Sequence, residues 1–444
     1  MMGSMYFEKE NYYTNICSAL ANVSKTLTTL DVSFGWRETD DEFRLYHILS
    51  AFQNLTSLRI HAPRNRFLVG SSMPIAGIHR LTKLTLDTII DPVGLKMVLE
   101  TFPYLRWLSL PTHDDMTFRS IQQYGTNSIN VLLTGGLPDA LTCGGLLLSR
   151  KFSWLIPDEE KFLNNNDGSS SNQGIRWLST GFIRSEREAG SSIVTYIEAH
   201  HATIQILSLN MIKDFSDATH WHSLCSSEQT LVHLTHLNLE AIEDDDDHDY
   251  TIFPDLELLL NNQVPNLQVF SLFSVADRMT KGTFDALGNI QTLRELWLRD
   301  VTFDAYDLNK FLNDMASKQS SLTGLCLIQC DDNMDDHILE TCTRIQSLSH
   351  LIIQNHWATQ PECIRKFIQN VASALPKLKE LSLHQFNLTP KDLQVLNNSS
   401  TLKSVEFSAV VGVDEDQVKE SFSSPSIQVK FMSAETYFNI YTPI

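Results

Sequence analysis

The sequence predicts an α/β solenoid, a curved horseshoe with parallel strands on its concave face and helices on its convex face. Three observations carry the prediction. A phrase of leucine, two residues, leucine, one residue, leucine returns at intervals of about 24 to 33 residues; inside it apolar and polar residues alternate; between phrases the apolar residues fall at helical spacing. A unit repeated at such a period buries its apolar face by stacking on its neighbours, so the chain reads as one continuous array.

Residues 11–23 suit a helix, so residues 1–26 are expected to form a helical cap before the first strand. Phrases then begin at Leu27, Leu55, Leu81, Leu105, Ile204, Leu234, Leu267, Leu293, Leu322, Leu348, Leu378 and Leu402. The third to fifth residues of each suit a short strand, because alternate residues of a strand face opposite sides. Leu296 and Leu298 would thus enter the core while Glu295, Trp297 and Arg299 line the other face.

Helical spacing follows in Phe43, Leu45, Tyr46, Ile48, Leu49 and Phe52, and again in Cys363, Ile364, Phe367, Ile368, Val371 and Leu375. Asp91-Pro92, Asp304 and Thr389-Pro390 supply helix-entry chemistry, a side-chain cap or a proline in the first turn. Strands lie about 4.8 Å apart and helices about 10 Å apart, which bends a stack of such units toward its strands.

The pattern weakens between Thr112 and Gly174, where Ile129 to Leu132 and Ile175 to Leu178 offer openings for coils but Leu146 to Ile156 fits no register. Asn164 to Gly174 has the polar, turn-rich composition of a surface loop, so an irregular middle with an insertion is expected at about 112–174. Glu243 to Asp249 reads as a self-repelling solvated loop, lacking the spacing and glycine turn of a calcium site. Ile427 to Phe431 is expected to be a capping strand closing the solenoid of residues 27–444.

Composition excludes several classes. A formal net charge of −19 opposes nucleic acid and anionic membrane as partners, since both are held by clustered Lys and Arg. No apolar run is long enough to span a bilayer, and Met1 to Asn15, with Glu8, Lys9 and Glu10, has no basic start and apolar stretch of a secretory signal. Cys17, Cys143, Cys225, Cys326, Cys330, Cys342 and Cys363 are odd in number and scattered, which suits small buried residues in a reducing compartment. A cytoplasmic or nuclear chain is expected, and Asn22, Asn54 and Asn387 then open sequons only by chance.

No phosphate-binding glycine loop, nucleophile elbow, kinase set or His-Glu-x-x-His helix is present. His200, His201, His220, His222, His233, His236 and His248 spread over several coils without paired-ligand spacing, and Cys326 and Cys330 have no second pair in register. No metal, cofactor or catalysis is therefore expected. What remains is the outward strand face, and the candidate partner-binding residues along it are Arg59, Lys83, Trp107, Trp177, His236, Phe273, Trp297, Arg299, His350 and His384. Tryptophan and arginine dominate binding hot spots, and Trp297 beside Arg299 is the strongest local case.

The repeated phrase resembles the leucine-rich repeat family, and the long helical returns resemble its ribonuclease-inhibitor-like branch. The family's usual Asn or Cys beyond the third leucine is poorly kept, with Ser274 and Asn355 as approximate stand-ins. Among intracellular members the chain is similar to the substrate-recognition arrays of fungal-type F-box proteins, although residues 1–26 hold no Leu-Pro-x-Glu-like F-box opening. The resemblance implies a noncatalytic scaffold that binds a protein on its concave face, as a substrate-recognition subunit working with a Skp-type adaptor and a cullin. A regulator or inhibitor docking on an enzyme or GTPase is the alternative class.

Overall fold

The computed structural model describes residues 20–33, 48–49, 51–61, 80–87, 90, 92–111, 115–125, 128–134, 174–180, 187–212, 218–242, 253, 255–274, 278–318, 320–328, 330, 336–355, 359–422 and 427–432. Two compact units divide the chain: Met1–Leu141 with Phe152–Leu224, and Thr142–Lys151 with Cys225–Ile444. Both are α/β solenoids built from parallel strands.

In the first unit the strands are β1 (Thr29–Ser33), β2 (Ser57–His61), β3 (Lys83–Asp87), β4 (Trp107–Leu110), β5 (Val131–Thr134), β6 (Trp177–Ser179) and β7 (Ile206–Ile212). Each pairs in parallel with the next. The second unit carries β8 (His236–Ile242), β9 (Val269–Ser274), β11 (Glu295–Arg299), β13 (Gly324–Ile328), β14 (His350–Gln354), β15 (Glu380–His384), β16 (Ser404–Ser408) and β17 (Gln428–Met432), again in parallel order. A small side ladder joins β10 (Arg278–Met279) to β12 (Thr302–Phe303).

Every phrase identified in the sequence opens a strand two residues in, from Leu27 and Thr29 to Leu402 and Ser404. The cause is the alternation. Leu58, Leu84, Leu108, Leu132, Leu178 and Leu207 occupy one register row of the first unit, and all are buried. Leu237, Phe270, Leu296, Leu325, Leu351, Leu381 and Val405 form the matching row of the second. Burying each such side chain stabilises by about 1.5 to 3 kcal/mol, and a slip of one residue would reverse every one of them.

Helices cover the core. In Ala305–Ser317 the buried residues are Leu308, Phe311, Leu312 and Met315, and in Pro361–Ala374 they are Ile364, Phe367, Ile368 and Val371, one apolar stripe in each case. Asp304 caps the first by accepting from the Tyr306 amide at 2.9 Å. Thr389 closes a capping box with Asp392 ahead of Pro390–Asn397. Helix Pro92–Thr101 follows Asp91 as expected. Most of 43–52, and residues 11–19, lie outside the described residues; Ile48, Leu49 and Phe52 are buried, and Ala21–Val23 forms a short 3-10 turn.

Part of the stretch 112–174 lies among the described residues. It opens with a regular coil, helix Asp115–Tyr124 followed by β5, because Phe118 and Ile121 find core positions and Ile129 supplies the phrase opening. Ile175 likewise opens β6. Leu146 to Ile156, Asn164 to Gln173 and Glu243 to Asp249 lie outside the described residues. β17 is the last strand among the described residues, with Val429 beside Val405 and Phe431 beside Phe407.

A hydroxyl ladder ties neighbouring coils at the residue that precedes a phrase. Thr292 and Ser321, each immediately before a phrase, donate at 2.7 Å to the carbonyls of Leu267 and Leu293, the residues that open the preceding phrases. Ser128 and Thr203 do the same to Leu105 at 3.0 Å and Ile175 at 2.7 Å.

Candidate functional site

The alternation that sends leucines inward leaves three rows of side chains on the opposite face of each sheet. In the first unit the rim of that face changes character along the array. Thr29, Asp31 and Arg59 are exposed and Lys83 is half-buried, its ammonium 4.4 Å from the centre of the Trp107 ring. Trp107, Val131, Trp177 and Ile206 then share one register row. Trp107 and Trp177 lean over Val131 to meet edge to face, ring centres 5.5 Å apart and planes at 83°. Together with Leu133 they form a buried cluster.

In the second unit the first row runs His236, Val269, Glu295, Gly324, His350, Glu380, Ser404 and Gln428. Its polar members are half-buried or exposed. The second row includes Trp297, Cys326, Ser382, Glu406 and Lys430, and the third Glu240, Phe273, Arg299, His384 and Ser408. These two rows are mostly buried.

The sequence-derived candidates therefore lie on the expected face, but not all are presented to solvent. Trp107, Trp177, Trp297, Phe273 and His384 are buried, Trp297 and His384 with only 1% of their surface exposed. Parity fixes the face of a side chain and not what its neighbours cover. Arg59 is exposed, and Lys83, His236, Arg299 and His350 are half-buried.

Local partners set the electrostatics. The indole Nε1 of Trp297 donates to the Glu295 carboxylate at 3.3 Å. Burial pushes the Glu295 carboxyl up to about 7, against the opposing pull of that bond and of Arg294. His236 is brought down to about 4 by burial and stays neutral at ordinary pH; its Nδ1 lies 2.9 Å from Thr235 Oγ1. Arg299 Nε meets Asp300 Oδ2 at 3.1 Å. His350 has its Nδ1 2.7 Å from Ser349 Oγ and its Nε2 3.8 Å from Glu380 Oε1.

The carboxylates of this face, Glu240, Glu295, Glu380 and Glu406, were not among the candidates, although the same alternation locates them. Lys430 of β17 is the register neighbour of Glu406, and Arg299 pairs with Asp300. Among the described residues no group of three or more His, Cys, Asp or Glu could hold a metal ion, and no helix is long and apolar enough to cross a membrane. Cys326 and Cys330 are buried, and Cys330 Sγ donates to the carbonyls of Leu298 and Ile328 at 3.4 Å each.

No protein-family model matches the chain, and no curated protein matches it. Among solved structures the chain is similar to the Rad7 and Elc1 complex in yeast, with 14% identity and a TM-score of 0.44 over 94% of this chain and 87% of that one. An internalin from Listeria monocytogenes matches at 14% identity and a TM-score of 0.40, over 94% and 92%. The TLR13–ssRNA13 complex matches at 13% and 0.38, over 93% of this chain but 55% of that one, so the chain spans about half its length. The α/β solenoid architecture of each unit stands on its own strand pairings.

Proposed function

We propose that the chain is a noncatalytic protein-interaction scaffold that takes its partner on the outward strand face. The observation that carries this reading is the first row of the second unit, where His236, Glu295, His350 and Glu380 stand in one register row between β8 and β15 of one sheet, with Val269 and Gly324 on the strands between. A polar row held by a backbone ladder is ordered before a partner arrives, which lowers the entropic cost of binding. The reading extends to the residues proposed from the sequence, with Arg59 and Lys83 on β2 and β3 of the first unit and Arg299 and His350 in the second. The buried Trp107, Trp177, Phe273, Trp297 and His384 would serve by shaping that surface.

At the finer level we infer a substrate-recognition subunit of a cullin-type ubiquitin ligase, joined through a Skp-type adaptor in the cytoplasm or nucleus. The style of the repeats supports it, long helical returns between leucine phrases. Affinity purification of the full chain tests both levels. The scaffold reading expects a stoichiometric protein partner whose recovery falls at least severalfold with Arg59→Ala/His350→Ala and is unchanged by Glu362→Gln on a helix. The ligase reading further expects Skp and cullin subunits in the same eluate. A partner without them refutes the finer level alone; no partner, or one indifferent to the outward-face change, refutes both.

A further inference from the structure

Four observations bear on what the second unit would bind. Glu240, Glu295, Glu380 and Glu406 all occupy outward positions, while Arg299 on that face is engaged by Asp300 at 3.1 Å. Glu295 and Glu380 are the members at the half-buried rim, whereas Glu240 and Glu406 are buried. Between the rim carboxylates Gly324 places no side chain: a Cβ there would come within 3.1 Å of Glu295 Cγ, so the Glu295 side chain leans over β13 toward His350 and Glu380. The whole chain carries −19, which repels acidic partners at long range and draws in basic ones.

We propose that this rim binds a basic segment of a partner protein, an extended stretch crossing the strands with one Lys or Arg on Glu295 and a second on Glu380. The inference rests on the scaffold reading and adds the chemistry of its partner. Strands β11, β13, β14 and β15 are successive neighbours, so three steps of about 4.8 Å separate the two backbones by about 14 Å. The lean of Glu295 shortens that span. An extended peptide advances about 3.3 Å per residue, which sets the two cations three or four residues apart. Burial that disfavours the Glu295 charge also favours a cation that would answer it. His350 stands between the two carboxylates, with its Nε2 3.8 Å from Glu380.

The test is fluorescence anisotropy on the full chain with labelled Gly/Ser peptides of about ten residues carrying two arginines. Arginines three or four apart are expected to bind about tenfold more tightly than two adjacent arginines in the same composition. Glu295→Gln/Glu380→Gln should abolish that preference, and Glu362→Gln, an exposed helix carboxylate, should keep it. Equal affinity for both spacings, absence of binding, or loss in the Glu362→Gln control as large as in the rim variant would overturn the proposal. So would tighter binding of a peptide with glutamate in place of arginine. Hydrogen exchange with a purified partner separates the two readings. Protection of β11 and β15 that survives Glu295→Gln/Glu380→Gln overturns the basic-segment proposal and leaves the scaffold standing.

Discussion

Trp297 and Glu295 stand two residues apart on β11, on the same face, and the indole Nε1 donates to the carboxylate at 3.3 Å. The bond satisfies a tryptophan with 1% of its surface exposed, but it ties that satisfaction to a carboxyl that burial keeps near 7. From the strands on either side, Val269 and Ser271 of β9 and Gly324 and Cys326 of β13 face the pair; Arg294 is the adjacent charge, and His350 stands one strand further on.

The consequence is a pH-dependent stability. The folded pKa of Glu295 lies above the ordinary carboxyl value of 4.5, so between 4.5 and about 7 the folded chain holds more protons than the unfolded one. Its contribution is present at low pH and is lost as the pH rises through 7. Glu295→Gln keeps an acceptor for Trp297 and removes the titration. Urea midpoints for the variant and the wild type should agree near pH 5, and at pH 8 the variant should be about 1 to 2 kcal/mol more stable after screening is allowed for. His236 works in the opposite sense: its folded value of about 4 lies below the ordinary 6.5, so its contribution is lost as the pH falls through 4. The wild-type profile should therefore fall away on both sides of a middle range.

The contact of Trp107 with Trp177 gives a second prediction. Edge-to-face pairs contribute about 0.5 to 1.5 kcal/mol beyond the area they bury. Leucine at each position separately and at both should yield a coupling of that size in a double-mutant cycle read by denaturant midpoint. A coupling near zero would mean that the 5.5 Å contact adds nothing to burial.

How far the sequence reaches is visible in these same residues. The phrase placed the first residue of the strand that follows each of its twelve openings and the buried side of that strand, because a two-residue period has only two faces. Helix entries at Asp304 and Thr389 were equally legible, since their side-chain oxygens and the following proline at 390 are local chemistry. Burial of Trp107 beneath Trp177 was not legible, because it depends on a residue 70 positions away leaning over Val131. The raised carboxyl of Glu295 was hidden for the same reason: it arises from desolvation by the packed face, which no local pattern encodes. Asp414 and Gln417 form a capping box at the start of helix Glu415–Ser421, a signal as local as those at Asp304 and Thr389.

The hydroxyl ladder predicts a cost shared among coils. Ser321 donates at 2.7 Å to the Leu293 carbonyl and Thr292 at 2.7 Å to that of Leu267. Ser321→Ala and Thr292→Val leave those carbonyls short of a donor at a net cost of about 0.5 to 1.5 kcal/mol each. Because each rung joins a different pair of coils, the two losses should add within error in a thermal or denaturant series. A loss confined to one of them would show that the carbonyls find water instead.

Two glycines on the helical side should respond in opposite directions to the same substitution. Gly412 sits at φ 86°, in the left-handed region, and a Cβ there would come within 2.4 Å of the Leu388 carbonyl oxygen. Backbone cannot swing aside as a side chain can, so Gly412→Ala should cost about 1 to 3 kcal/mol and loosen the bridge between Asn387 and Val411. Gly288 lies in helix Lys281–Asn289, where an added Cβ would meet Met315 Cε at 3.7 Å and Phe311 Cδ2 at 3.8 Å, ordinary contact distances. Its helical backbone suits alanine, which restricts the unfolded chain more than glycine does, so Gly288→Ala should stabilise by about 0.4 to 1 kcal/mol. Denaturant midpoints of the two variants, measured side by side, should lie on opposite sides of the wild type.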